Sequence, residues 1–152
     1  MPSRAQPPSA GPDEPSVITA VRAAHGAFYE AFEARDMDAM SEVWEHSDRV
    51  VCTHPGWRTL RGWGAVSGSW FALFGGSNPL QFILTEEVIV VDGDLAWVSV
   101  DENLIGPGQG EGPGTELGAT VAALNLFRRH HTGGGEHWLL VAHHGSPVAP
   151  QG

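Results

Sequence analysis

The chain has 152 residues, of which 41% are hydrophobic and 17% charged, as expected for one soluble globular domain with its own core. Its formal net charge of -10 disfavours nucleic acid and anionic membranes as partners. All eight basic residues are arginines, which excludes Schiff-base lysines, pyridoxal phosphate anchors and Walker-type phosphate sites. Cys52 is the only cysteine, so an intrachain disulfide and a multi-cysteine zinc site are excluded, and a reducing, cytoplasmic setting is expected.

The two ends of the chain differ in composition from the segment between them. Residues 1–15 are rich in Pro, Ser and Ala without an apolar run, which predicts a disordered tail and not a signal peptide. We expect one domain over residues 16–147 and a short C-terminal tail over 148–152. Because no stretch approaches the roughly 20 apolar residues that span a bilayer, no membrane insertion is expected.

The first half of the domain has helical periodicity. Apolar residues recur at helical spacing over residues 16–35, with Ser16 as the predicted N-cap. Asp36 is predicted to cap a second, short helix. The segment "SDRVVCTHPGWRTLRG" predicts a strand, a Pro-Gly turn and a second short strand. A third helix follows in "WGAVSGSWFALFGG", ended by its two last glycines.

The second half changes to the periodicity of strands. A long hairpin is predicted around Asp92-Gly93, then a flexible glycine-rich loop over 106–118, then a second hairpin with its connection at 133–135. Helices followed by long hairpins indicate an α+β fold with the helices on one face of a curved antiparallel sheet. The other face of that sheet needs a cover, so we expect a homodimer.

Four segments resemble a known family. They are "FYEAFEARDMDAMSEVW", "DRVVCTHPG", "VVDGDLAWVSV" and "NLFRR…GEHWLLVAHHGSP". In this order they resemble the NTF2-like superfamily, specifically its SnoaL-like and ketosteroid-isomerase-like branch, over about residues 16–147. The resemblance implies a cone in which a curved antiparallel sheet wraps around three N-terminal helices. It also implies a deep apolar pocket at the open end of the cone.

The isomerase motif carries over only in part. In ketosteroid isomerases an Asp-Pro pair ends the equivalent strand and its Asp shuttles the proton, whereas this chain has His54-Pro55. The tyrosine that donates to the enolate falls on Phe28 or Tyr29, and the second acid falls near Ala122, which cannot donate. Scytalone-dehydratase-like members use histidines as acid and base, which makes His54 the candidate general base. The alternative is a histidine that only hydrogen-bonds its own turn.

Two more residues are candidate catalytic groups. Tyr29 is the only tyrosine and could donate to a developing oxyanion, or it could be a core residue with its hydroxyl at the surface. His143 and His144 are neighbours on the last strand, so only one of them can point into the cone. Strict alternation places His144 on the same face as Trp138, Leu140 and Ala142, and we predict His144 because a face with a large ring and smaller neighbours suits a pocket wall. A histidine hydrogen-bonded to backbone is the alternative.

The remaining candidates would form the walls of a substrate pocket. In the strand segment "DEN", Glu102 points to one face of the sheet, and Asp101 and Asn103 point to the other. A carboxylate inside the apolar cone would have a raised pKa. We predict Glu102 in the pocket, with a solvated outer face as the alternative. The other predicted substrate-binding residues are one amide and four aromatic side chains, which are equally explained as core: Asn125, Phe28, Trp57, Trp70 and Trp97.

We expect no cofactor and no metal. A site made of Cys52, His54 and one of His143 or His144 is a minor alternative, because these ligands lack a spacing signature. The leading hypothesis is cofactor-free proton-transfer chemistry, as in an isomerase, dehydratase or cyclase, on a small apolar or aromatic molecule. The second hypothesis is a ligand-binding or assembly module without turnover, since "VAHHGSP" also resembles the end of kinase-association hub domains.

Overall fold

The computed structural model describes residues 14–76, 80–105 and 118–150. For Glu14 it describes the backbone but not the side chain. The predicted N-terminal tail lies outside the described residues except for its last two positions, Glu14 and Pro15. The predicted glycine-rich loop also lies outside them except for Gly118, and so do the last two residues of the C-terminal tail.

Three helices come first, as predicted: α1 (Glu14–Ala34), α2 (Met37–Val43) and α3 (Trp63–Phe74). Helix α1 already begins at Glu14, ahead of the predicted N-cap Ser16. The Asp36 carboxylate caps α2 by accepting a 3.0 Å hydrogen bond from the Ala39 N–H. None of these helices is long and apolar enough to cross a membrane.

Within the described ranges, six strands form one open, curved sheet in the order β2-β1-β6-β5-β4-β3. Neighbouring strands are antiparallel except β1 and β6, which run parallel, so the sheet is mixed and not purely antiparallel as predicted. Parallel strands need a long connection between them, and β1 and β6 are separated by most of the second half of the chain. The strands are β1 (Val51–Thr53), β2 (Leu60–Arg61), β3 (Gln81–Asp92), β4 (Leu95–Ile105), β5 (Ala119–Thr132) and β6 (Gly135–Pro147).

Two β-bulges interrupt the alternation of side chains. In β3 the register shifts between Thr85 and Val88, where Glu86 has a left-handed φ of 57°. In β6, Leu140 pairs with Phe127 and Ala142 with Leu126, so Val141 is the extra residue. Beyond each bulge, side chains that strict alternation assigns to one face lie on the other.

The core lies between the helices and the concave face of the sheet. Helix α1 packs against β3 and β6, and α3 packs against β1 and β2. Large apolar side chains on both sides lose nearly all solvent contact, which supplies most of the stabilisation of the fold. The largest of them are Trp44, Trp70, Phe28, Phe127, Met40 and Leu140. Three helices followed by an unclosed curved sheet confirm the predicted α+β cone.

Candidate small-molecule site

A cavity of about 260 Å³ lies between α1, α3 and the concave face of the sheet. Its wall is mainly apolar, with four polar or charged side chains, which is the usual composition of a pocket for a small organic molecule. The apolar lining residues are Phe32, Pro55, Trp57, Leu73, Phe74, Leu80, Phe82, Leu104 and Val121. The others are Arg35, His54, Glu102 and His143.

His54 reaches this cavity because β1 ends immediately before it. The next residues turn the chain sharply: Gly56 has a φ of 82°, and the Trp57 N–H donates to the His54 carbonyl at 2.8 Å. The imidazole is thereby held at the strand end, with only 3% of the residue exposed. His54 therefore lines the cavity wall at the position where the sequence led us to look for a candidate base.

Ser69 fixes the tautomer of His54. The Ser69 hydroxyl donates its single proton to the Val66 carbonyl at 2.6 Å. The contact of 2.9 Å between Ser69 Oγ and His54 Nε2 is therefore a hydrogen bond donated by Nε2. In the neutral ring Nδ1 then carries the lone pair, and its hydrogen-bonding contact among the described residues is the Cys52 sulfur at 4.0 Å. Burial lowers the pKa of His54 to about 4, so the ring is neutral near pH 7.

His143, and not His144, points into the cone. His143 is buried and lines the cavity, whereas His144 is exposed on the outer face. The prediction of His144 was wrong because it assumed strict alternation along β6, and the bulge at Val141 shifts the pattern by one residue. The two buried rings, His54 and His143, lie 6.3 Å apart between centroids. Burial lowers the pKa of His143 to about 3, so it too is neutral.

Asn125 is the centre of a buried hydrogen-bond network. Its Oδ1 lies 2.5 Å from His143 Nδ1, and its Nδ2 lies 3.0 Å from His25 Nε2 and 3.1 Å from the Tyr29 hydroxyl. An amide oxygen only accepts, so His143 donates through Nδ1 and keeps a lone pair on Nε2. The amide nitrogen donates to His25 Nε2, which leaves His25 Nδ1 to donate to Glu87 at 3.1 Å. Asn125 therefore orders three side chains around it; the cavity wall includes His143 but not Asn125 itself.

Tyr29 connects this network to Glu102. Its hydroxyl accepts from Asn125 and donates to Glu102 Oε2 at 2.5 Å. Burial raises the pKa of Glu102 to about 7, although the hydrogen bond from Tyr29 acts in the opposite direction. Burial beside the Glu102 carboxylate also raises the pKa of the Tyr29 phenol, which remains protonated. Glu102 lines the cavity, while Tyr29 lies behind it.

The predicted aromatic walls divide into three groups. Trp57 lines the cavity and is 44% exposed. Phe28 and Trp70 are fully buried and support the histidines, with centroid distances of 5.0 Å from Phe28 to His143 and 4.7 Å from Trp70 to His54. The prediction for Trp97 was wrong, because Trp97 lies on the outer face of the sheet. Trp97 and Glu102 are five positions apart on β4, and residues an odd number of positions apart on a strand point to opposite faces.

The minor metal hypothesis gains no geometric support within residues 14–76, 80–105 and 118–150. No three His, Cys, Asp or Glu side chains in these ranges converge as metal ligands. The Cys52 sulfur lies 3.7 Å from His54 Nε2, but that nitrogen donates to Ser69 and His143 Nδ1 donates to Asn125. Burial also raises the pKa of the Cys52 thiol to about 12, so it is present as the neutral thiol.

Three polar residues of this region were not predicted from the sequence. His25 belongs to the inward stripe of α1 and precedes Tyr29 by one helical turn, so helical spacing could have found it. Ser69 lies in α3 beside Trp70, and its hydroxyl role needs the position of His54. Arg35 follows α1 in a left-handed conformation, for which the sequence offers no glycine or asparagine as a sign.

Comparisons with known proteins agree with this architecture. Residues 21–150 match the SnoaL-like domain family. A Streptomyces avermitilis protein of the NTF2-like family, which has been proposed to be a dehydratase, is 36% identical. The similarity covers 90% of this chain and 99% of that one, with a TM-score of 0.75. A Thiobacillus denitrificans protein, proposed to be a calcium/calmodulin-dependent protein kinase type II association domain, is 35% identical over 84% of this chain and 94% of its own, with a TM-score of 0.67.

A curated relative in Arabidopsis thaliana, the F-box protein SKIP8, is 26% identical over 119 residues. The match covers 78% of this chain but only 46% of that protein, so the chain spans less than half of its length. The family match covers most of the chain, and the fold described above is the fold of its structural relatives, which typically forms a ligand-binding pocket. The chain belongs to the SnoaL-like domain family of the NTF2-like superfamily.

Proposed function

We propose that this protein binds a small apolar or aromatic molecule in the cavity and transfers a proton within it without a cofactor. The reaction would be an isomerisation, a dehydration or a cyclisation. The observation that supports this most directly is that one apolar cavity contains both His54, a neutral imidazole, and Glu102, a carboxyl group with a pKa of about 7. A base and an acid in opposite protonation states are what such chemistry requires.

The tautomers give each group a role. His54 removes a proton from the carbon next to a carbonyl through Nδ1, because its Nε2 donates to Ser69. Protonated Glu102 donates to the oxygen that gains negative charge or, in a dehydration, to the departing hydroxyl, which leaves as water. Tyr29 is a positioning residue in this proposal, since it acts on Glu102 through their hydrogen bond. The 36% identity to a proposed dehydratase supports the same class of reaction.

A deuterium-incorporation assay tests this proposal without knowledge of the natural substrate. Small aromatic ketones and β-hydroxy carbonyl compounds are incubated with the protein in D₂O, and NMR follows exchange at the carbon next to the carbonyl. We expect exchange above the buffer rate, reduced by about 100-fold or more in His54→Gln and Glu102→Gln. Arg61→Gln, a change to an exposed arginine on β2 that does not line the cavity, is the matched control and should retain the exchange. Probes that bind without exchange in any variant would contradict the proposed chemistry.

The second candidate is a ligand-binding or assembly module without turnover. It is favoured by the 35% identity to a proposed kinase association domain. Such a module needs the cavity but not the pairing of His54 with Glu102. In that case His54→Gln would leave the affinity for each probe within a few-fold of wild type, and no variant would exchange deuterium. The same assay therefore separates the two candidates.

The proposal includes a homodimer formed through the outer face of the sheet. Val88 and Leu124 both pair with Ser99, so they flank it on this face from the two neighbouring strands, and they are 55% and 42% exposed. Ile83 and Val90 on β3 are exposed at 49% and 37%. Exposed apolar side chains gathered on one face of a sheet are typical of a protein-protein contact, and a second copy of the same chain could cover them symmetrically.

A further inference from the structure

Arg35 is a cavity residue that the proposed chemistry does not use. It follows α1 directly, with a left-handed φ of 51°, and its N–H donates to the Phe32 carbonyl at 3.1 Å. Its Nη1 donates to the Gly76 carbonyl at 2.5 Å, just beyond the end of α3. The backbone turn and this bond hold the guanidinium at the cavity wall, where the ends of α1 and α3 meet.

The guanidinium retains most of its hydrogen-bonding capacity. Arginine carries five N–H donors in a planar fork that matches a carboxylate, and within the described ranges the hydrogen bond to Gly76 uses one of them. No Asp or Glu oxygen of the described residues lies within ion-pair distance of Arg35, unlike Arg22, Arg49 and Arg129. Among the described residues that line the cavity it is the only cationic side chain, since His54 and His143 are neutral.

The other charged group in the wall fixes how an anion would be oriented. Arg35 and Glu102 both line the cavity, and no ion pair joins them among the described residues. An anionic group beside Glu102 would be repelled once that carboxyl group ionises, whereas beside Arg35 it gains charge-assisted hydrogen bonds. The protein as a whole carries a formal charge of -10, so an anion gains attraction only from a local cation such as this one.

We propose that Arg35 binds the carboxylate of the ligand, and that the ligand is a small aromatic or apolar carboxylic acid. Its carboxylate lies at Arg35, its apolar body contacts Phe32, Phe74 and the other apolar walls, and its reacting end lies at His54 and Glu102. This assignment of a substrate class rests on the proposed function, because it takes the cavity to be the binding site.

Isothermal titration calorimetry with matched probes tests the proposal. Benzoate, phenylacetate and 3-phenylpropanoate are each compared with the corresponding amide, which has nearly the same shape and no charge. We expect wild type to bind at least one acid about tenfold or more tightly than its amide. Arg35→Gln should remove this preference by weakening the acid alone, and Arg35→Lys, which keeps the charge but not the fork, should give an intermediate preference. Arg61→Gln, a change to an exposed arginine on β2, should leave it intact.

The outcomes separate this proposal from the one on which it rests. If acids and amides bind equally and Arg35→Gln changes neither, the carboxylate assignment is overturned while the cavity remains a binding site. If no probe binds to any variant and the deuterium assay also shows no exchange, both proposals are overturned. Circular dichroism and thermal unfolding confirm that each variant is folded, so that lost binding reports on the side chain.

Discussion

The Tyr29 hydroxyl donates a 2.5 Å hydrogen bond to Glu102 Oε2, which joins helix α1 to strand β4 inside the cone. Both residues are almost fully buried, and Asn125 donates to the same hydroxyl at 3.1 Å. A carboxyl group at this depth would be costly without a partner, so the phenol determines how far its pKa rises. Tyr29 therefore influences the pKa of Glu102, which lines the cavity, although Tyr29 itself does not line the cavity.

Replacing Tyr29 by Phe should raise the pKa of Glu102 further above about 7. The hydrogen bond from Tyr29 stabilises the carboxylate form, so its removal favours the protonated form. The expected loss of stability is about 1–3 kcal/mol, because Asn125 also loses a buried acceptor. Titration of the Glu102 side-chain carbon by NMR measures the pKa. Phe32→Leu is a matched control in the same helix, and an unchanged Glu102 pKa in Tyr29→Phe would contradict the account.

Glu102 should also make folding stability fall as the pH rises. Its pKa is about 7 in the folded protein against the usual 4.5, so between these values the folded state binds a proton that the unfolded state releases. The stabilisation is complete below about 4.5, is lost as the pH rises through about 7, and amounts to about 3 kcal/mol. Glu102→Gln should lack this dependence.

Urea unfolding of wild type and Glu102→Gln at about pH 5 and about pH 8 measures the difference. The buried histidines His25, His54 and His143 have lowered pKa values and lose stability in the opposite direction, as the pH falls below 6.5. Their contribution is shared by both proteins and cancels in the comparison. If the free energy of unfolding changed equally with pH in both proteins, Glu102 would have the same pKa in the folded and the unfolded chain, and the prediction would be wrong.

Most of the fold could be predicted from the sequence, because most of its patterns are local and consistent with one another. Helical spacing predicted α1, the Asp36 carboxylate caps α2 as expected, and the turn between β3 and β4, at Gly93-Asp94, lies one residue from the predicted Asp92-Gly93. The parallel pairing of β1 with β6 was not predicted, because it joins segments that are far apart in the chain and leaves no local pattern.

The site was predicted less completely, for two physical reasons. The choice between His143 and His144 depends on the bulge at Val141, and that residue carries no local sign of a bulge. Trp97 is a different case, because strand alternation places Trp97 and Glu102 on opposite faces of β4. The sequence alone is therefore enough to show that both cannot line the same pocket. Tertiary hydrogen bonds, such as His54 with Ser69, are visible only once the fold is known.

Cys52 should be unreactive in the folded protein. It is fully buried, and burial raises the pKa of its thiol to about 12, so almost no thiolate forms near pH 8. We expect Ellman's reagent to label no thiol in native protein over an hour-scale incubation, and one thiol per chain once urea unfolds it. Complete labelling of the native protein within minutes would show that β1 opens or that Cys52 is accessible.

Leu124→Glu should convert a dimer into a monomer. The change places a charge in the centre of the apolar outer face, where a partner's surface would leave it desolvated and unpaired. Size-exclusion chromatography with light scattering measures the mass. Phe71→Glu is the matched control, because Phe71 is 72% exposed on α3 and not on the sheet. A monomeric wild type, or a dimer that persists in Leu124→Glu, would contradict dimerisation through this face.

The pH dependence of deuterium exchange tests the proposed chemistry most directly. The second-order rate constant should rise through about pH 4 as His54 loses its proton and fall through about pH 7 as Glu102 loses its own, giving a bell-shaped profile. In Glu102→Gln the rate should be lower and the fall above pH 7 absent. A profile that keeps its fall above pH 7 in Glu102→Gln, or a rate that His54→Gln leaves unchanged, would contradict the assignment of these two residues as acid and base.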